Sequence, residues 1–158
     1  MNYYTKQTSV GLITITEEKG FITSLSFGNY KLKKSCSTFP DRNFFSETIK
    51  QAFIQLDEYF SGTRKVFDLP LNPKGTKFQQ KVWSILLSIP YGETRSYKNI
   101  AAQIGDENAC RAVGMANNKN KIPIFIPCHR IINADGSLGG YSGGEKIKQI
   151  LLNLEQNF

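Results

Sequence analysis

Ile126-Pro127-Cys128-His129-Arg130-Ile131-Ile132 is the stretch around which this chain is organised. It holds the single histidine of the protein, directly after one of its three cysteines. The apolar run Ile122-Pro123-Ile124-Phe125-Ile126 leads into it. The glycine-rich run Gly136-Ser137-Leu138-Gly139-Gly140-Tyr141-Ser142-Gly143-Gly144 leads away. Such a segment can hold a nucleophile rigidly on scaffold while glycines let a ligand approach the backbone. Thiolate is the nucleophilic form of cysteine, and near neutral pH a free cysteine is mostly thiol, so Cys128 needs a base or positive surroundings. His129 and Arg130 offer both. Adjacent side chains often diverge, and a bridging water would then relay the proton. A basic imidazole needs an acceptor on its other nitrogen. Glu155 becomes a candidate if the last helix folds back beside the loop. Two plainer roles stay open on these residues alone, an inert buried thiol and a structural histidine. A cysteine hydrolase fits poorly, because its histidine normally comes from a distant segment and this chain has no second one.

Upstream, residues 96–104 and 107–117 read as two short helices joined at Gly105-Asp106. Ser96 is expected to cap the first, Gly105 to end it in the left-handed conformation, and Asp106 to cap the second. Two helices joined this way form a helix-turn-helix. The second helix is small-sided, with Ala109, Ala112, Gly114 and Ala116, while Arg111 and Asn117 project. It can bring its backbone close to a groove wall, or pack closely within a core, and the residues alone do not choose. Thr76-Lys77-Phe78-Gln79 is a capping-box signature that starts a further helix. That helix is expected to bury Phe78, Val82, Ile85 and Leu86, with Trp83 as core, and to end at Ile89-Pro90-Tyr91-Gly92. Downstream, Asp135-Gly136 makes a turn. Residues 145–155 form a last helix with Ile147, Ile150, Leu151 and Leu154 facing inward.

Pro70-Leu71-Asn72-Pro73-Lys74-Gly75 breaks both helix and strand and predicts an inter-domain linker. The expected domains are residues 1–70 and 71–158. In the first, residues 10–27 read as a β-hairpin that turns at Glu17-Glu18-Lys19-Gly20. Ile13 and Ile15 share one face of its first strand. Phe21, Thr23, Leu25 and Phe27 share one face of the second. Lys31-Leu32-Lys33-Lys34 reads as an exposed edge or loop, and Cys36 in this polar neighbourhood as incidental. Residues 45–60 predict an amphipathic helix with Ile49, Phe53, Leu56 and Phe60 on one face, stopped by Ser61-Gly62. Residues 66–69 could form a short strand. Nothing before residue 70 looks catalytic.

The chain's 158 residues suffice for one ordinary domain or two small ones. Three scattered cysteines, Cys36, Cys110 and Cys128, argue against a disulfide framework and fit a reducing compartment. One histidine and no CxxC pair predict that no metal is bound. Neither a signal peptide nor a membrane-length apolar run is evident, so a soluble, intracellular protein is expected. The net charge is +7, and from Asn72 onward eleven Lys/Arg stand against six Asp/Glu. A basic half suits a polyanionic partner, nucleic acid first, although charge alone equally describes a solvated surface.

Ile126-Pro127-Cys128-His129-Arg130-Ile131 closely resembles the active-site signature of the O6-alkylguanine-DNA alkyltransferases, also called methylated-DNA–protein-cysteine methyltransferases. The likeness continues through Tyr91-Gly92-Glu93-Thr94-Arg95-Ser96-Tyr97, Arg111-Ala112-Val113-Gly114, Gly140-Tyr141-Ser142-Gly143-Gly144, and Leu151-Leu152 with Glu155. It covers residues 75–155 in order and spacing. Residues 1–70 fit only in general form.

The resemblance implies an α+β protein. A small ribonuclease-H-like α/β domain precedes a mostly helical domain with a helix-turn-helix of winged-helix type. It implies single-turnover, irreversible transfer of an alkyl group from O6-alkylguanine, and from O4-alkylthymine, to Cys128. The target base is flipped out of the duplex. His129 and Glu155 are then the water-mediated base and its orienting carboxylate. Tyr97 presses on the 3′ phosphate and donates toward N3 of the leaving guanine. Arg111 fills the space left by the flipped base, with Ala109, Ala112 and Gly114 against the groove. Asn120 braces the turn, Tyr141 and Ser142 wall the guanine, and the carbonyls of Cys128 and Ile131 accept from its amine.

The implied partner is double-stranded DNA carrying O6-alkylguanine, with no cofactor, metal or membrane. A monomer in the cytoplasm, or in the nucleus of a eukaryote, is expected. Lys121 stands where the family usually has proline, which predicts a looser turn, and Ile131 and Ile132 replace the more usual valines. Two rivals from other classes are a non-catalytic lesion-binding protein that flags damage, and a redox sensor that uses Cys128.

Overall fold

The computed structural model describes residues 1–28 and 46–157. The expected Lys31–Lys34 edge, Cys36 and the predicted first helical residue, Phe45, lie outside them. The protein mixes helix and sheet in two compact units, Met1–Pro73 and Lys74–Phe158.

In the first unit, β1 (Asn2–Thr8), β2 (Gly11–Glu18) and β3 (Phe21–Phe27) form an antiparallel sheet in chain order. The predicted hairpin therefore supplies two strands of a three-stranded meander. β1 escapes sequence reading because Asn2-Tyr3-Tyr4-Thr5-Lys6-Gln7-Thr8 lacks an apolar alternation. It is held by its ladder to β2 and by the Thr5 and Thr14 hydroxyls, 2.8 Å apart. Lys19 and Gly20 turn β2 into β3 with φ of 53° and 84°, the paired positive angles that a tight hairpin needs. Glu17 closes that turn, accepting from the Gly20 amide.

The register shifts at Thr16/Glu17, so that Thr16 faces Ser24 and Glu17 faces Ile22. A bulge moves side chains between faces. The buried pair in β3 is thus Ile22 and Leu25, and Phe21 is 47% exposed, contrary to the simple alternation. Helix α1 (Glu47–Phe60) is capped by Ser46, whose side chain accepts from the Ile49 amide. It buries Ile49, Ala52, Phe53, Leu56 and Tyr59 against the sheet.

The strand expected at residues 66–69 does not form. Val66 is 75% exposed. The Gln55 side chain binds both backbone groups of Asp68, at 3.0 and 2.9 Å, where a neighbouring strand would otherwise pair. Only Leu71 pairs with the sheet there, through an isolated bridge to Ile22.

The second unit begins with α2 (Lys77–Leu87), which opens in the predicted capping box of Thr76 and Gln79. Val82, Trp83 and Leu86 are its buried residues, and the Trp83 indole Nε1 donates to the Ala116 carbonyl at 2.9 Å. Phe78 and Ile85 are only half-buried. Strand β4 (Arg95–Ser96) leads directly into α3 (Tyr97–Ile104), with Ser96 and Asn99 as a second capping box. Gly105 ends α3 at φ 98°.

Helix α4 (Cys110–Asn118) follows and packs on both α2 and α3, giving the expected helix-turn-helix. Asp106 does not cap it. Its Oδ1 accepts from the Asn108 amide in a local turn, so the helix begins three residues later than predicted, and Ala109 precedes it without a side-chain cap. Strand β5 (Ile131–Ile132) runs parallel to β4. In α5 (Glu145–Asn157) the buried residues are Lys148, Leu151 and Glu155, while Ile150 is 39% exposed. The inward stripe is thus turned from the expected one, because a lysine and a glutamate occupy it. Among the described residues no helix is long and apolar enough to cross a membrane.

Trp83 couples α2 to α4 by packing and by a buried hydrogen bond. Trp83→Ala should lower the unfolding free energy by about 3–5 kcal/mol. Thr76→Ala, which removes one cap, should cost about 1 kcal/mol. Urea titration of the two variants should rank them in that order.

Candidate active site

The segment before Cys128 folds into a tight, fully buried loop. The Asn120 carbonyl oxygen Oδ1 accepts from the Ile122 amide at 3.0 Å. Its Nδ2 donates to the Ile126 carbonyl at 2.9 Å. The Ile126 amide donates to the Ile122 carbonyl at 2.9 Å. Asn120 thus braces both ends of the turn that contains Lys121. Ile124 has φ 72°, a conformation that a β-branched side chain resists. The surrounding bonds impose it.

Cys128–Arg130 then form one 3-10 turn. Its residues are all buried, with Cys128 2% and His129 0% exposed. Burial pushes the Cys128 thiol up to about 11, against a hydrogen bond from the Asn120 side chain and the positive charge of Lys148.

Glu155, reaching in from α5, gathers the turn's two other side chains. Its Oε1 lies 2.8 Å from His129 Nε2. Arg130 Nε donates to Oε2 at 3.0 Å, and Arg130 Nη2 donates to Oε1 at 2.9 Å. Arg130 Nη1 donates to the Ile89 carbonyl at 2.7 Å, which ties the cluster to the end of α2. Burial raises the Glu155 carboxyl pKa, but the hydrogen bonds and charges of His129 and Arg130 outweigh it and bring it down to about 2. Burial lowers the His129 pKa, with Arg130 and Lys148 adding to it and Glu155 opposing.

An ionised carboxylate at Nε2 assigns the ring proton to that nitrogen and leaves the lone pair on Nδ1. Nδ1 is buried and has no hydrogen-bond partner in the protein. The site therefore contains a neutral imidazole with an available basic nitrogen, next in sequence to a buried thiol.

The other expected residues fall into two groups. Tyr141, half-buried, sets its ring edge-on to His129 with centroids 6.4 Å apart. Ser142 beside it is exposed. Tyr97 opens α3, and burial, with the Cys128 charge second, raises its hydroxyl pKa so that it stays protonated. A Cβ on Gly139 would lie 3.1 Å from the Tyr97 hydroxyl, and Gly139 has φ 72°. Only glycine suits both constraints. Ile131 is buried, and its carbonyl accepts from Lys148 Nζ at 2.5 Å. The Cys128 carbonyl accepts from Asn117 Nδ2 at 3.5 Å.

Arg111 and Ala112 lie exposed on α4, whereas Ala109 and Gly114 are half-buried. Tyr97, Lys98, Cys110, Arg111 and Gly114, with Asn133 and Ala134, line an open cleft of about 380 Å³.

The sequence alone suggests Arg130 only as nearby positive charge, gives Asn117 a projecting position where the structure buries it, and does not single out Lys148. The available signal was register, since 148, 151 and 155 share one face of α5. Among the described residues no group of three or more His, Cys, Asp or Glu is placed to hold a metal ion.

Two family models match this chain. The ribonuclease-like domain of 6-O-methylguanine DNA methyltransferase covers residues 1–73, and the DNA binding domain of 6-O-methylguanine DNA methyltransferase covers residues 77–157. The chain belongs to the 6-O-methylguanine DNA methyltransferase family.

It is similar to the constitutive methylated-DNA–protein-cysteine methyltransferase of Bacillus subtilis, with 48% identity over 99% of this chain and 96% of the relative. The methylated-DNA–protein-cysteine methyltransferase of Methanosarcina barkeri is 45% identical over 99% of this chain and 98% of its own. Among solved structures, Mycobacterium tuberculosis OGT in complex with DNA superposes with a TM-score of 0.87 at 44% identity, covering 99% of this chain and 94% of that one.

Glu155→Gln leaves Arg130 buried without its counter-charge, which should cost about 3–5 kcal/mol in urea titration. The wild-type carboxylate stabilises the fold above its unfolded pKa of about 4.3. That contribution is lost as pH falls toward the folded value of about 2. The stability difference between wild type and variant should therefore shrink across that window. A constant difference would contradict the assigned pKa.

Proposed function

We propose that this protein repairs DNA directly, moving the alkyl group of O6-alkylguanine to the sulfur of Cys128 in a single, irreversible turnover. The observation that carries this is a buried thiol, held at the end of a braced loop, next to a neutral imidazole that Glu155 orients. Matching relatives named methylated-DNA–protein-cysteine methyltransferase support it, as does a similar protein solved with DNA.

At rest the thiol is protonated, since burial holds its pKa at about 11. His129 Nδ1 takes the proton, through a bridging water, and Glu155 stabilises the imidazolium that forms. Sulfur attacks the alkyl carbon in line. The carbon–sulfur bond forms as the carbon–O6 bond breaks, and the leaving guanine takes a proton. Tyr97, kept protonated, is the donor toward N3, and Ser142 donates to O6, which lowers charge on the leaving group. Tyr141 walls the base, and the Cys128 and Ile131 carbonyls accept from its amine. The thioether offers no easy hydrolysis, so the chain reacts once.

The alkylated oxygen lies within the base stack, so the nucleotide leaves the duplex to reach Cys128. Exposed Arg111 enters the space it vacates, with Ala109, Ala112 and Gly114 letting α4 approach the minor groove. O4-alkylthymine presents a comparable alkyl–oxygen bond and is a second substrate. The two methyltransferase relatives named above are bacterial and archaeal, and a cytoplasmic setting fits this reading.

Cys128→Ala should abolish methyl transfer from a duplex with one O6-methylguanine while lesion binding in a gel-shift titration persists. Transfer surviving in the variant would remove Cys128 as acceptor. Wild-type protein that binds the lesion and never transfers would favour the lesion-binding rival. Arg111→Ala should slow reaction with duplex DNA far more than reaction with free O6-alkylguanine. Equal slowing on both would contradict its role in base flipping.

A further inference from the structure

Lys148 is fully buried in the middle of α5, and the chemistry above gives it no task. Its ammonium donates to the Ile131 carbonyl at 2.5 Å, the Leu138 carbonyl at 2.5 Å and the Gly140 carbonyl at 3.3 Å. Three donors meet three acceptors, the full capacity of an ammonium. Taking that charge out of water is costly, and burial accordingly lowers its pKa. An apolar side chain would fill the same space without that cost.

The acceptors have one property in common. Ile131 follows directly on the Cys128–Arg130 turn, and Leu138 and Gly140 stand just before Tyr141 and Ser142. Lys148 thus grips both ends of a single loop. Between the grips the loop is closed on itself. The Asn133 amide donates to the Ser137 carbonyl at 2.9 Å and the Gly136 amide to the Asn133 carbonyl at 3.0 Å. Asp135 Oδ1 accepts from the Ser137 amide at 2.9 Å. A segment so knit moves as one body, and its attachment to α5 decides where it sits.

We propose that Lys148 is a positioning residue that latches residues 131–140 to α5 and so sets the Tyr141–Ser142 wall against the Cys128–Arg130 turn. The proposal rests on the alkyl-transfer reading, and deepens it: the latch serves recognition of the base, not reactivity of the sulfur. The charge of Lys148 also acts on Cys128, which in turn interacts with Tyr97 on α3 and is followed on its own turn by His129 and Arg130, both bound to Glu155 of α5. A second role, as counter-charge to the thiolate, must therefore be separated from the latch by experiment.

Two reagents separate them. Single-turnover transfer from an O6-methylguanine duplex needs the wall. Alkylation of Cys128 by iodoacetamide, read on its own peptide by mass spectrometry, needs only the thiolate. Lys148→Met should slow the first by about a hundredfold, as misplacement of a bound substrate does, and the second by less than about threefold. Equal slowing of both would make Lys148 a counter-charge and overturn the latch, as would no slowing of transfer. Wild-type protein that reacts with iodoacetamide but never takes the methyl group would overturn the alkyl-transfer reading instead.

Should Lys148→Met not fold, hydrogen exchange on the wild-type protein decides. The latched Asn133 and Gly136 amides should open with the same free energy as those of α5 around Lys148. Fast exchange in the loop while α5 stays protected would overturn the latch.

Discussion

The carboxylate of Glu155 is the point on which the second unit depends. It accepts from His129 and from two nitrogens of Arg130, and Arg130 reaches on to the Ile89 carbonyl. The last helix, the turn that carries the thiol and the end of α2 therefore meet at one charge. A buried ion pair of this kind is weak evidence of stability for its own sake, since desolvation offsets much of the attraction. Its geometry has a different consequence. It fixes the tautomer of His129 and points the basic nitrogen away from the carboxylate. An apolar trio of the same volume could pack as well and could not do this.

Burial acts in opposite directions on the members of the site. It makes the Cys128 thiol less acidic and the His129 imidazole less basic, so both rest in their neutral forms. A buried neutral thiol is guarded from stray oxidants and electrophiles, which attack thiolates. Fast reaction then calls for a substrate that fits closely enough to bring the electrophilic carbon to sulfur, while a small reagent in excess reacts slowly. The scaffold under the thiol is correspondingly stiff. Asn120 closes the preceding loop, and Ile124 is held at a positive φ that costs about 1–3 kcal/mol and that neighbouring bonds must impose.

Much of the candidate site was legible because its members are close in sequence or in helical register. Cys128, His129 and Arg130 are consecutive, and Glu155 falls on the face of a recognisable helix. The capping boxes at Thr76 and Ser96 and the left-handed Gly105 were legible because short-range bonds determine them. What escaped depends on distant partners. β1 exists because β2 offers it an edge. The bulge at Thr16/Glu17 exchanges the face of Phe21 for that of Ile22. Gln55 binds Asp68 where a strand was expected. Register places Lys148 on the face of Leu151 and Glu155, but its partners were unreadable for the same reason, and a lysine on a helix normally faces water. Its three carbonyl acceptors come from a loop whose path the sequence does not dictate locally.

The central claim is that one buried sulfur accepts one alkyl group and then stops. It is tested most directly by intact and peptide mass spectrometry with excess duplex bearing O6-methylguanine, followed over time. The account predicts one methyl group per chain, on the peptide that contains Cys128, with lesion loss ending at one equivalent. Lesion loss that continues past one equivalent, or a methyl group on another residue, would contradict it.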